Sequence, residues 1–123
     1  MIFIESYWFT KSITERLDDE QFAELQMELL ANPEVGKVMP GCGGLRKIRF
    51  SDPKRGKGKR GGVRLIYVCV PEVSWILLLD LYDKGEKEDI SAQDKKTLKH
   101  LAEEFKAEAN WALIRERRMK DHE

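Results

Sequence analysis

The sequence predicts an α+β domain, ordered as one strand, two helices, a three-stranded antiparallel meander and a C-terminal helix. Three observations carry this. Apolar residues recur at three-to-four spacing over 18–31 and again over 91–109, the period of helices with one buried stripe. The runs 45–50, 63–70 and 75–82 are alternating or continuously apolar, with turn-rich links between them, as sequential antiparallel strands require. The chain has 123 residues, enough for one core and too few for a second domain of ordinary size.

Each element has its own signal. Ile2, Phe3 and Ile4 form a short apolar run, read as the first strand. Residues 7–17 are weakly helical, with Thr10 or Ser12 as starts. Asp18 or Asp19 caps a clearer helix whose apolar positions include Phe22, Leu25, Met27, Leu29 and Leu30. Asn32 ends it, because the residue before Pro33 is pushed out of the helical region.

Residues 36–44 are glycine-rich loop material. In the strand 45–50, Ile48 and Phe50 face one side while Lys47 and Arg49 face the other. The link 51–62 is rich in glycine and lysine. Val63 to Val70 is apolar on both faces apart from Arg64 and Tyr67, which marks a central strand. Trp75 to Tyr82 is the next strand, and alternation puts Asp80, Tyr82 and Lys84 on one face. Ser91 caps the last helix, with Leu98, Leu101, Phe105 and Ala109 as its stripe and a charged end running toward Arg118. The helices are expected on one face of the sheet. Tyr67, Trp75 and Trp111 are expected in packing.

Composition narrows the function classes. Apolar residues make up 41% and charged residues 36%, which suits a globular chain with a busy surface. The longest apolar run, Trp75 to Leu81, is far short of a spanning helix, and the N-terminus has no signal-peptide pattern, so a cytoplasmic protein without membrane contact is expected. Cys42 and Cys69 make neither a disulfide framework nor a metal-ligand spacing. Net charge is zero but uneven: residues 46–64 hold nine basic residues and one acid, Asp52. Such a segment points to a polyanion, although a solvated loop is the plain alternative. Glycines 56 and 58 around Lys57 do not make a phosphate-binding P-loop.

The meander delivers Lys47 and Arg49, then Arg64, then Tyr82 with Lys84 beyond it. Cations for phosphates and a ring for stacking are what an RNA-binding sheet needs. RNA is cut when its own 2′-hydroxyl attacks the adjacent phosphate, which takes a base, an acid and a cation. The two histidines, His100 and His122, both fall in the last helical region, so a histidine mechanism is not expected. A lysine whose neighbours are cationic can serve as base, and Lys47 and Lys84 are the candidates. Other readings stay open on these residues. Lys47 and Arg49 can simply protect a strand face from aggregation, Arg64 can belong to a structural salt bridge, and Tyr82 can be packing. Arg46 and the loop cations Lys54, Arg55, Lys57, Lys59 and Arg60 are candidates for gripping RNA.

The segments GGLRKIRF at 43–50, GKGKRGGVRLIY at 56–67 and LYDKGEKEDI at 81–90, with the cap at Ser91, resemble RelE-type toxins of the RelE/ParE superfamily, especially the HigB branch. The resemblance covers roughly residues 2–106; residues 1–106 are accordingly expected to form the toxin domain, and 107–123 a C-terminal helical extension or tail. It implies a compact sheet with helices on one side, and a type II toxin that cleaves mRNA, usually on the ribosome, without metal or other cofactor. It implies that Lys47 and Arg49 serve proton transfer and phosphate contact, that Arg64 contacts the scissile phosphate, and that Tyr82 and Lys84 complete the site. The partner implied is a cognate antitoxin, HigA-like, with a helix-turn-helix DNA-binding domain. Gly85 and Ser91 depart from some relatives, which carry an arginine and a tyrosine there. Two rivals remain: a ParE-like toxin acting on DNA gyrase, which would lack the basic strand face, and a noncatalytic RNA-binding module.

Overall fold

The computed structural model describes residues 1–51, 62–85 and 89–122. Among these, the elements run β1 (Ile2–Glu5), α1 (Tyr7–Arg16), α2 (Asp19–Ala31), β2 (Lys37–Val38), β3 (Arg46–Phe50), β4 (Val63–Val70), a 3₁₀ turn (Pro71–Val73), β5 (Trp75–Asp83) and α3 (Ala92–Asp121). The strands form one sheet in the order β1-β5-β4-β3-β2. β3, β4 and β5 are the antiparallel meander, and β1 adds to β5 in parallel, so the sheet is mixed.

The helix starts follow from capping. α1 begins earlier than Thr10 or Ser12, because Ser6 accepts from the Phe9 N–H at 3.1 Å and also donates to the Leu79 carbonyl at 2.5 Å. α2 opens on Asp18 with a full capping box: Gln21 N–H to the Asp18 carboxylate at 2.8 Å, and Asp18 N–H to the Gln21 side chain at 3.0 Å. In α2 the core takes Leu25 and Leu29, while Met27 and Leu30 of the expected stripe stay exposed. The segment expected as loop between α2 and β3 contains the two-residue β2, paired to Arg46 and Lys47.

The helices do not share one face. Phe9, Leu17, Leu25 and Leu29 from the α1–α2 side pack with Ile48, Phe50, Val63, Leu65, Tyr67, Ile76, Leu78 and Leu81. On the other face Leu98, Ala102 and Phe105 of α3 pack with Leu45, Ile66, Val68, Leu77 and Leu79. The reason is in β4 and β5 themselves, which are apolar on both faces. A single layer of helices would leave Ile66, Val68, Leu77 and Leu79 in water, at a cost of about 1.5–3 kcal/mol per large side chain.

Tyr67 is fully buried and ties α2 to the sheet: its hydroxyl donates to the Pro33 carbonyl at 2.7 Å and accepts from the Gly36 N–H at 2.9 Å. Trp75 packs on Phe105 with ring centroids 5.8 Å apart. Trp111, expected in packing, is instead 60% exposed, because it lies well around α3 from the line of Leu98, Ala102, Phe105 and Ala109 that meets the sheet. No described helix is long and apolar enough to cross a membrane.

Candidate functional site

Register decides which side chains meet. Arg49 pairs with Arg64, and Arg64 pairs with Tyr82, so the three form one cross-strand row over β3, β4 and β5. The next row is Lys47, Ile66 and Asp80. Lys47, Arg49 and Arg64 therefore share the face that α3 partly covers, as Ile66 and Tyr82 belong to its core.

Tyr82 reaches this face only because of a bulge. Ile66 pairs with Asp80 and Tyr67 with Leu78, leaving Leu79 as an extra residue in β5. One extra residue reverses the alternation. Ile76 and Leu78 point to the α1–α2 side, whereas Asp80 and Tyr82 fall opposite Ile66 and Arg64. Ser6 stabilises the bulge through its bonds to the Leu78 and Leu79 carbonyls.

The members of the row differ in exposure. Arg49 is exposed, while Arg64 is 3% and Tyr82 2% exposed. The Arg64 guanidinium lies 3.4 and 3.5 Å from the Val63 and Gly62 carbonyls. Burial, and then the Arg49 charge beside it, lower its pKa, with Tyr82 and Asp83 acting in the opposite sense. Burial and the Asp89 charge push the Tyr82 phenol up to about 12, against the pull of Arg64. Tyr82 is thus a protonated hydroxyl at neutral pH.

Lys47 is held by Asp89 at 3.4 Å, and Asp89 also binds Lys95 on the first turns of α3 at 2.9 Å. Partial burial works against the Asp89 charge, but the bonds from Lys95 and the Ile90 N–H, with Lys47 nearby, hold its carboxyl below the ordinary range. Asp89 and Lys95 were not among the residues expected here. The only signal in the sequence was an acid two residues before the Ser91 cap. The buried Asp83, which accepts from the Gly85 N–H at 2.7 Å, also went unread.

Arg46 does not join the group. Alternation turns it to the α1–α2 side, where it binds the Glu34 carbonyl at 3.0 Å, the Gly36 carbonyl at 2.8 Å and the Glu34 carboxylate at 3.1 Å. Lys84 is exposed in the turn after β5, its N–H bound to the Gly62 carbonyl at 3.2 Å. Lys54, Arg55, Lys57, Lys59 and Arg60 lie outside the described residues. Burial pushes the Cys69 thiol up, away from thiolate chemistry.

No family model matches the chain. Among solved structures, it is similar to an arginine-to-alanine double mutant of the E. coli toxin RelE in the free state, at 17% identity and a TM-score of 0.50, over 70% of this chain and 85% of that one. The isolated E. coli RelE toxin aligns at 17% identity and a TM-score of 0.48, over 80% of this chain and 96% of that one. The double-mutant comparison, with the mixed sheet and its helices, shows that this chain has a RelE-like fold.

Proposed function

We propose that this chain is the toxin of a type II toxin–antitoxin pair, a metal-independent endoribonuclease that cleaves mRNA on the ribosome. The observation that carries the reading is the row Arg49, Arg64 and Tyr82 on one sheet face, with Lys47 in the next row. A rigid sheet with stacked cations is suited to a phosphodiester whose charge rises as it reacts.

The reaction matches these groups. The 2′-oxygen attacks the adjacent phosphorus, loses its proton to a base, and the bond to the 5′-oxygen breaks as that oxygen gains a proton. The products are a 2′,3′-cyclic phosphate and a 5′-hydroxyl. Arg49 meets the phosphate from solvent, and Arg64 beneath it adds a fixed charge where little water screens it. Lys47 and Lys84 are the proposed proton-transfer groups, with Tyr82 a hydroxyl donor. The loop cations Lys54, Arg55, Lys57, Lys59 and Arg60 steer the chain to ribosomal RNA. The proposed partner is a HigA-like antitoxin, which silences the chain in a cytoplasmic setting.

The test is to add the folded protein to translating ribosomes and map new mRNA 5′ ends. New ends that carry a 5′-hydroxyl support the reading. Binding without cleavage leaves the noncatalytic RNA-binding module. Cleavage absent while gyrase is inhibited leaves the ParE-like alternative.

A further inference from the structure

We propose that the far half of α3 is a self-association surface, on which two copies of this chain pair antiparallel with Trp111 at the two-fold axis. Glu104, Glu108, Trp111, Arg115 and Arg118 follow one another at spacings of four and three, so they line one side of the helix. All five are exposed, Trp111 at 60%. The stripe lies about a third of a turn around the helix from the line of Leu98, Ala102, Phe105 and Ala109 that faces the sheet. Pairing along it leaves the core of the domain untouched.

The occupant is identified by charge. The stripe is acidic before Trp111 and basic after it. In an antiparallel pair centred on Trp111, residue positions that sum to about twice 111 face each other. Arg118 then falls opposite Glu104 of the second copy, and Arg115 within one residue of its Glu108. A parallel pair would set like charges side by side, so the pattern selects one orientation. The indole supplies the apolar centre that a charged stripe alone lacks, over a shallow depression bounded by Leu101, Glu104, Phe105 and Glu108. His100 bonds Glu104 within one helix at 2.9 Å, a contact between exposed side chains that the second copy's Arg118 can replace. Glu116 and Lys120 are engaged with each other and take no part.

The test is sedimentation velocity on the nuclease-treated chain at rising concentration, in low and high salt. Concentration-dependent dimers are expected, weakened about tenfold by high salt because the contacts are solvent-exposed. The double variants Arg115→Glu with Arg118→Glu, and Glu104→Arg with Glu108→Arg, should each be monomeric with unchanged helical circular dichroism. Mixed together they should restore a dimer. A wild-type chain that stays monomeric at every concentration, or a mixture that stays monomeric, overturns the proposal. So does association that nuclease treatment abolishes, which would assign Arg115 and Arg118 to a nucleic acid instead.

Discussion

Arg49 and Arg64 are neighbours in one row and differ in what surrounds them. Arg49 is exposed, so Arg49→Ala should leave the melting temperature nearly unchanged, within the ~0.5 kcal/mol usual for surface changes. If it meets the phosphate, the same variant should cleave roughly 10²–10³ more slowly, the range for loss of one strong electrostatic donor. Arg64 is buried, so Arg64→Ala should lower both the melting temperature and the rate, and Arg64→Lys should rescue little, since an ammonium lacks the planar fork. Single-turnover cleavage per folded molecule separates the effects. A destabilised Arg64→Ala that cleaves at the normal rate removes Arg64 from the site.

Tyr82 gives the residue scale a pH signature. Its phenol is raised to about 12 in the fold from an ordinary value near 10. The unfolded chain ionises first, so the stability linked to Tyr82 is fully present below about pH 10 and lost as pH climbs toward 12. Thermal melts between these limits should show a steeper alkaline decline for the wild type than for Tyr82→Phe. Parallel curves for the two proteins would show that Tyr82 is not held neutral by its surroundings.

At the scale of elements, the segment that follows α2 is fastened to the sheet by the Tyr67 hydroxyl, through Pro33 and Gly36. A Cβ on Gly36 would stand 2.8 Å from the Tyr67 ring and 2.9 Å from its hydroxyl, closer than real side chains approach. Gly36→Ala should therefore cost about 1–3 kcal/mol by overpacking. Tyr67→Phe should cost a similar ~1–3 kcal/mol for a different reason, since it leaves the Gly36 N–H and Pro33 carbonyl without that hydroxyl. Urea melts on both variants check this. The double variant adds a discriminating result: removing the hydroxyl relieves part of the clash, so the two losses should sum to more than the pair shows. Strict additivity would mean that the clash is taken up elsewhere.

At the scale of the molecule, the sheet is the shared wall of two cores. Leu29→Ala on the α1–α2 side should cost about 2–5 kcal/mol, and Phe105→Ala on the α3 side about 3–5 kcal/mol. Because β4 and β5 serve both cores, each variant should still unfold in a single transition by circular dichroism and by tryptophan fluorescence. Two separated transitions would show that the α3 layer comes away by itself.

The order of elements, the meander and the basic strand face were legible in the sequence because each rests on local chemistry. Alternation in β3 turns Lys47 and Arg49 to one side whatever else the chain does, and Ser91 caps α3 through its own neighbour Asp94. Caps shift when a distant group competes: Ser6 starts α1 because it also reaches Leu79, 73 residues away. The side taken by α3 was not legible, since strands apolar on both faces need two covers but do not say which helix provides which. Nor were the partners of the basic residues: alternation parts Arg46 from Lys47, but that Glu34 and Gly36 hold the first and Asp89 the second depends on segments brought in from elsewhere in the chain. The face taken by Tyr82 was decided by tertiary structure alone. Counted along β5 from Leu78, simple alternation sends Tyr82 to the side away from Arg64. The bulge at Leu79 reverses the count, and it forms because the strand must satisfy the pairing of β4 and the bonds from Ser6 at once.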